Sequence, residues 1–114
     1  MKYAGHCHCR KIAFEVEAEM QPATECNCSI CASRGYLLWF LPGDKFQLKT
    51  PEKDMSHYTF NTHRIKHYFC PNCGSAPFGM GDNNGKPMAA VNIRCLEGID
   101  LAAVERKHFD GKRL

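Results

Sequence analysis

Eight cysteines occur in this chain of 114 residues, and seven of them fall into three short clusters. The clusters are residues 7–9, 26–31 and 70–73, which carry two, three and two thiols. A structural zinc ion is bound by four protein ligands, whereas a catalytic zinc keeps three and leaves the fourth position for water or substrate. Seven clustered thiols divide into four and three. The sequence therefore predicts one closed zinc site and one open zinc site.

The pair Cys70 and Cys73 has the form of a zinc knuckle, in which two thiols lie on a tight turn. Gly74 follows directly, and a glycine permits the left-handed backbone that aims N–H groups at the sulfurs. Thioredoxin-like redox motifs share this spacing, but they need a helix directly after the first cysteine. Pro77 opposes such a helix, so metal binding is favoured over redox chemistry.

A pair of cysteines supplies only half of a tetrahedral zinc site, so the pair in residues 70–73 needs two more ligands. The pair in residues 7–9 is the preferred partner, because its one-residue spacing places both sulfurs on one side of a turn. Spacing alone leaves a second grouping open. In that grouping Cys28 and Cys31 join residues 70–73, and Cys26 joins the N-terminal pair.

In the preferred grouping Cys26, Cys28 and Cys31 bind a second zinc with an open fourth position. Three thiolates and Zn²⁺ sum to a charge of −1, which makes the site a weak Lewis acid. Such a site suits binding a fourth thiolate better than activating water, because coordination keeps a thiol deprotonated at neutral pH. The alternative is that both zinc ions are structural and that a histidine or Cys95 completes the second site.

The segments 6–9, 26–31 and 69–75 resemble the glutathione-dependent formaldehyde-activating enzyme family, which includes centromere protein V. The resemblance implies a structural zinc whose ligands here are Cys7, Cys9, Cys70 and Cys73. It implies a catalytic-type zinc whose ligands here are Cys26, Cys28 and Cys31. It also implies a carbon–sulfur lyase reaction, the reversible joining of glutathione and formaldehyde to S-hydroxymethylglutathione. Residues 26–74 look closest to the centromere protein V branch, so a non-catalytic, zinc-stabilised binding module is the alternative.

The elements that position these thiols are predicted to be strands. Apolar and charged side chains alternate over residues 12–18, which is typical of a half-buried antiparallel strand, and residues 36–41 form a continuous apolar run typical of a central strand. The further predicted strands are residues 46–48, 56–60, 64–69 and 88–94. Strands this frequent predict a mainly β fold, a small antiparallel two-sheet or open-barrel zinc-binding domain.

The connections are predicted from their turn-forming residues. Residues 5–9 are predicted to form a compact turn, and residues 79–87, which are rich in Gly, Asn and Asp, an exposed loop. Short helical turns are predicted at residues 32–35 and 101–105. The length predicts a single domain, residues 1–114, with shallow surface sites.

Composition narrows the class of partner. A net charge of +3 with scattered basic residues favours small anionic partners slightly and falls short of a nucleic-acid-binding face. The N-terminal residues lack the apolar run of a signal peptide, and no span reaches membrane-crossing length, so a cytoplasmic location is expected. The expected partner is a small thiol such as glutathione, with no membrane; the sequence does not indicate an oligomeric state.

Other candidate residues carry weaker signals. Arg34 and Arg64 could receive substrate carboxylates through bidentate hydrogen bonds, although solvated surface positions are expected. Cys95 is expected to be a small buried group rather than a ligand. Packing or hydrogen bonding is also expected for His57, His63 and His67. Trp39 and Phe40 could line a shallow apolar pocket near the open zinc, but core packing is expected for both.

Overall fold

The computed structural model describes residues 1–19, 21–60 and 64–109, apart from the side chain of Asn83. The strands in chain order are β1 Lys2–His6, β2 Ala13–Glu17, β3 Ala23–Cys26, β4 Leu38–Pro42, β5 Phe46–Leu48, β6 Ser56–Tyr58, β7 Lys66–Phe69, β8 Phe78–Asn83, β9 Lys86–Asn92 and β10 Arg106–Phe109. A short helix, α1, covers Ser29–Arg34. Single 3₁₀ turns lie at Gly43–Lys45, Glu52–Asp54, Ile93–Cys95 and Leu101–Ala103. No helix in these ranges is long and apolar enough to cross a membrane.

The strands form two sheets, which confirms the mainly β, two-sheet prediction. The smaller sheet has the order β1-β2-β5, and the larger has the order β10-β3-β4-β9-β8-β7-β6. Neither order closes on itself within the described residues. Neighbouring strands are antiparallel except β10 and β3, which are parallel.

The smaller sheet is held by the alternating strand β2. Phe14 and Val16 are buried, and Glu15 and Glu17 point to the other face, as the alternation in the sequence predicted. Phe14 stacks on Phe46 of β5 with ring centroids 5.1 Å apart. These rings join the main core, which combines buried side chains of both sheets.

Strand β4 lies inside the larger sheet, between β3 and β9, near the position predicted for a central strand at residues 36–41. It pairs with β9 in the register Trp39↔Val91. Trp39 and Leu41 face the main core, whereas Leu38 belongs to a second apolar cluster around the 26–31 segment. Packing on two sides explains the continuous apolar run. Trp39 is buried as expected, but Phe40 is 49% exposed, so the prediction of core packing is wrong for Phe40.

The predicted exposed loop at residues 79–87 is wrong, because this segment is most of the β8–β9 hairpin. Asn84 and Gly85 form its two-residue turn with φ of 53° and 82°, as the tight turns that connect twisted strands require. The two glycines inside β8 have a packing role instead. A Cβ at Gly79 would lie 3.3 Å from the backbone oxygen of Lys66, and one at Gly81 would lie 3.2 Å from Ile65.

Short or edge elements account for the other differences. The predicted turn at residues 5–9 begins later, since β1 extends to His6, and neither β3 nor β10 was predicted. All four residues of β10 are exposed, so it carries no alternating apolar signal. The helical turn predicted at residues 32–35 is α1, which begins earlier, at Ser29. Gly35 ends α1 with φ of 65°.

Candidate metal centre

The first cysteine cluster brings together two turns that are distant in the sequence. Cys7 and Cys9 lie just after β1, and Cys70 and Cys73 lie just after β7. Their four sulfurs lie within 4.8 Å of one another. The Sγ atoms of Cys7 and Cys9 are 3.7 Å apart, and those of Cys9 and Cys70 are 3.6 Å apart. A tetrahedron with zinc–sulfur bonds of about 2.3 Å has sulfurs about 3.8 Å apart, so this donor set fits zinc.

The turn that carries Cys70 has the knuckle geometry expected from the sequence. The backbone N–H groups of Asn72 and Cys73 donate to the Cys70 sulfur at 3.3 and 3.4 Å. Gly74 adopts φ of 81°, and its N–H donates to the Cys70 carbonyl at 2.9 Å. These donors offset the negative charge that a thiolate ligand carries.

The N-terminal turn is built in a similar way. The N–H of Ile12 donates to the Cys7 sulfur at 3.3 Å, and the N–H of Cys7 donates to the Ile12 carbonyl at 3.0 Å. Arg10 adopts a left-handed conformation with φ of 71°, and its N–H donates to the Cys7 carbonyl. Cys7 is fully buried and Cys9 is exposed. The Cys7 sulfur therefore faces the knuckle from the core side, and the Cys9 sulfur faces it from the surface side.

The thiols of this cluster differ in proton affinity. Burial raises the pKa of Cys7 to about 11. Burial opposes ionisation of Cys73 as well, but hydrogen bonds from Ser75 and from the backbone of Cys9 lower its pKa to about 5. In a crowded thiol set, ionisation of one sulfur disfavours ionisation of its neighbours. A divalent cation removes this conflict because it stabilises every thiolate at once.

The second cysteine cluster is local, and the start of α1 forms it. Cys26 ends β3, Cys28 is the N-cap residue of α1, and Cys31 lies in the helix. The three sulfurs lie within 4.8 Å of one another, and the N–H of Cys28 donates to the Cys26 sulfur at 3.4 Å. Burial raises the pKa of Cys31. Burial also opposes ionisation of Cys28, but the backbone N–H groups of Cys31 and Ile30 hold the pKa of Cys28 below its usual value.

The structure thus separates the sulfurs into a set of four and a set of three, each of which could hold a metal ion. This is the preferred grouping from the sequence, and the one that joins Cys28 and Cys31 to residues 70–73 does not occur. The identity of the metal and the role of each thiol as a ligand stay predictions.

No fourth ligand accompanies the three-cysteine set in the described ranges, where neither Cys95 nor any described histidine, aspartate or glutamate joins it. Cys95 is half-buried, and burial raises its pKa to about 11. His67 lies parallel to the Tyr36 ring, with centroids 6.4 Å apart, and His57 packs at 5.6 Å from the Tyr68 ring. Packing is therefore confirmed for these two histidines, and His63 lies outside the described residues.

Aromatic side chains line the apolar cluster around the three cysteines. Tyr36 is 5% exposed and belongs to the same buried group as Cys31, and Phe60 packs against this group. The Phe60 ring lies 5.5 Å from His67. Strand β7 contributes His67 to this side and Tyr68 to the main core, because successive residues of a strand point to opposite faces. No sequence signal assigned Tyr36 or Phe60 to the cysteine cluster.

The prediction made from the sequence is wrong for Arg34. A solvated surface position was expected, but Arg34 is only partly exposed. Its Nη1 donates to the Tyr36 hydroxyl at 2.7 Å, and its guanidinium lies 5.6 Å from the centroid of the Phe69 ring. The helical position three residues after Cys31 was the available signal, since it places both side chains on one face. Arg64 is exposed, as expected.

Comparison with known proteins agrees with these features. The family model described as glutathione-dependent formaldehyde-activating enzyme matches residues 2–109. The chain belongs to this family. The match includes all seven clustered cysteines, and it confirms the resemblance inferred from their motifs. The crystal structure of a Rhodobacter sphaeroides protein is similar, with a TM-score of 0.77 and 28% sequence identity over 94% of this chain and 100% of that chain.

Proposed function

We propose that this chain is a zinc-dependent protein of the carbon–sulfur lyase type, acting on a thiol adduct such as S-hydroxymethylglutathione. The observation that carries the proposal is the difference between the two sulfur sets. Four cysteines can complete a tetrahedron, whereas the other three have no fourth protein ligand in the described residues. This difference is the one that separates structural zinc from catalytic zinc.

The donor chemistry favours zinc for each set. Thiolate sulfur is a soft donor, and an all-sulfur tetrahedral site is typical of zinc or iron–sulfur centres. In the proposal Cys7, Cys9, Cys70 and Cys73 bind the structural zinc. The catalytic-type zinc is bound by Cys26, Cys28 and Cys31. The four-cysteine set would join two distant turns through its ion, and the three-cysteine set would leave one coordination position for a ligand from solution.

The proposed reaction joins a thiol to formaldehyde. A zinc ion in the three-cysteine set would supply a way to keep a substrate thiol deprotonated at neutral pH. In the adduct, the glutathione sulfur forms a bond to the carbonyl carbon, the carbonyl π electrons move to oxygen, and the thiol proton ends on that oxygen. Tyr36 and Phe60 belong to the apolar cluster that packs around the cysteines. This packing would limit the access of water from that side. Cys26 and Cys28 are partly exposed and leave the cluster accessible.

Exchange spectroscopy by NMR tests the proposed reaction. The uncatalysed reaction is itself fast, so its rate is measured without protein and subtracted. Zinc-loaded protein is expected to increase the rate of exchange between formaldehyde and S-hydroxymethylglutathione. Cys28→Ser should remove this excess rate, whereas Cys95→Ser, which changes a thiol outside both sets, should retain it. Absence of any excess rate in the zinc-loaded wild type would overturn the proposal for this substrate.

The proposal also covers the cellular location and the partners of the protein. A cytoplasmic location fits, because a reducing compartment keeps thiols available for metal binding, and all eight cysteines are free. The proposed partner is a small thiol, with glutathione as the first candidate. Nucleic acid is not expected as a partner, given the small net charge of +3.

A further inference from the structure

Arg34 shares one neighbour with the three-cysteine set. It is the last residue of α1 and follows Cys31 by three positions, so the two side chains lie on the same face of the helix. The N–H of Tyr36 donates to the Cys31 carbonyl at 3.2 Å, and the Tyr36 hydroxyl accepts from Arg34 at 2.7 Å. Tyr36 therefore fixes the position of the guanidinium relative to the cysteines.

The guanidinium of Arg34 is held in place before any ligand binds. Its central carbon lies 5.8 Å from the Tyr36 ring centroid and 5.6 Å from the Phe69 ring centroid. Aromatic rings attract a guanidinium through their π faces, and Arg makes this contact more often than Lys. A group that is already ordered loses less entropy when it binds a ligand.

The charge of Arg34 has no carboxylate counter-ion in the described part of the chain. Arg10 and Arg106 each lie within 4.0 Å of a carboxylate, at 3.5 Å from Glu97 and 3.4 Å from Glu25. No described carboxylate lies within that distance of Arg34. A partly buried charge is normally paired, and a guanidinium presents N–H groups that match a carboxylate with two parallel hydrogen bonds.

We propose that Arg34 forms an anion-binding subsite beside the three-cysteine set and receives a carboxylate of the thiol substrate. The inference rests on the proposed function and narrows its substrate class to thiols that carry a carboxylate. Three thiolates with Zn²⁺ have a charge of −1, and a fourth thiolate makes it −2. Arg34 offsets this charge and selects the substrate through the second anchoring point. Tyr36 acts as a positioning residue for Arg34.

Calorimetric binding to the zinc-loaded protein at constant pH tests this subsite without an activity measurement. Glutathione and glutathione diethyl ester share the same thiol, but esterification removes the carboxylate charges. The wild type is expected to bind glutathione about 10- to 100-fold more tightly, the effect of hydrogen bonds to a charged group. Arg34→Met should abolish this preference, so that glutathione and its diethyl ester bind about equally. Arg34→Lys, which keeps the charge and loses the bidentate geometry, should keep only part of it.

Two further variants separate a specific subsite from general effects on folding or charge. Arg106→Met removes an arginine that is paired with Glu25 and should retain the full preference. Tyr36→Phe retains Arg34 but removes its hydrogen bond, and should weaken glutathione binding more than diethyl ester binding. If Arg34→Met does not retain two zinc ions per chain, Arg34→Lys and Tyr36→Phe carry the comparison.

The outcomes distinguish the subsite from the proposed function. Equal binding of the two thiols by the wild type, or an unchanged preference in Arg34→Met, would overturn the subsite and leave the proposed function intact. Equal weakening of the two thiols in Arg34→Met would also overturn the subsite, since Arg34 would then only offset the thiolate charge. Absence of binding by either thiol to the wild type would overturn the subsite and the proposed function together.

Discussion

The two cysteine sets differ in how the chain assembles them. The four-cysteine set joins turns that follow β1 and β7, one strand from each sheet, and its sulfurs receive backbone N–H groups on both turns. The three-cysteine set comes from six consecutive residues at the start of α1 and lies beside aromatic side chains and Arg34. A site that joins distant turns contributes to folding, whereas a local site can be changed with less effect on the fold. We therefore expect changes in the four-cysteine set to affect mainly the stability of the fold, and changes in the three-cysteine set to affect mainly substrate binding and reaction.

The largest expected effect is the loss of a buried sulfur from the four-cysteine set. Cys70→Ser should remove the structural zinc and lower the free energy of unfolding by more than about 3 kcal/mol, because structural zinc binding is coupled to folding. Urea denaturation with measurement of zinc content checks this. Cys28→Ser is the matched control and should lose one zinc ion with a smaller decrease in the free energy of unfolding, because its set comes from one local segment. Similar destabilisation by the two variants would contradict the division of roles.

A smaller effect is expected where β1 supports the same set. A Cβ at Gly5 would lie 2.3 Å from the buried Phe14 ring, so Gly5→Ala should force β1 away from β2. Overpacking of this kind costs about 1–3 kcal/mol. Thermal denaturation should show the loss, and a competing chelator should remove zinc faster from the four-cysteine set than from the other. Unchanged stability would show that β1 does not hold Cys7 in the way described.

Pairing across the sheets and contacts between distant residues limit what the sequence could predict. Spacing predicted the three local cysteine clusters and the buried alternation of β2, because these depend on neighbouring residues. It left open which clusters join, because that depends on contacts between distant turns. The β8–β9 hairpin was missed because Gly79 and Gly81 lie in a strand for reasons of packing against Lys66 and Ile65. The environment of Arg34 depends on Phe69 of β7, and α1 alone contains no signal of this contact.

The smallest expected effect is a pH dependence on the side of the three-cysteine set. Burial lowers the pKa of His67 below its usual value of 6.5, and the charge of Arg34 lowers it further. As pH falls below 6.5, the unfolded chain takes up this proton before the folded chain does, so protonation favours unfolding. The decrease in the free energy of unfolding grows as pH falls towards the folded-state pKa of His67, and it is constant at lower pH.

Urea denaturation between pH 5 and 8 detects this effect as a difference between the wild type and His67→Gln. The subtraction removes the pH dependence that the cysteines contribute to each protein. The wild type should lose stability relative to the variant on acidification. His57→Gln, which changes an exposed histidine, should show a smaller difference. A wild type that gains stability relative to His67→Gln at low pH would contradict the buried, neutral state of His67.

X-ray absorption at the zinc edge tests the central claim that one set is closed and the other is open. Seven cysteine sulfurs shared by two zinc ions give an average of about 3.5 sulfurs per zinc. Addition of glutathione should raise this average to about 4, and Cys28→Ser should prevent the increase. Four sulfurs at every zinc ion before glutathione is added, or an average that glutathione does not change, would contradict the account.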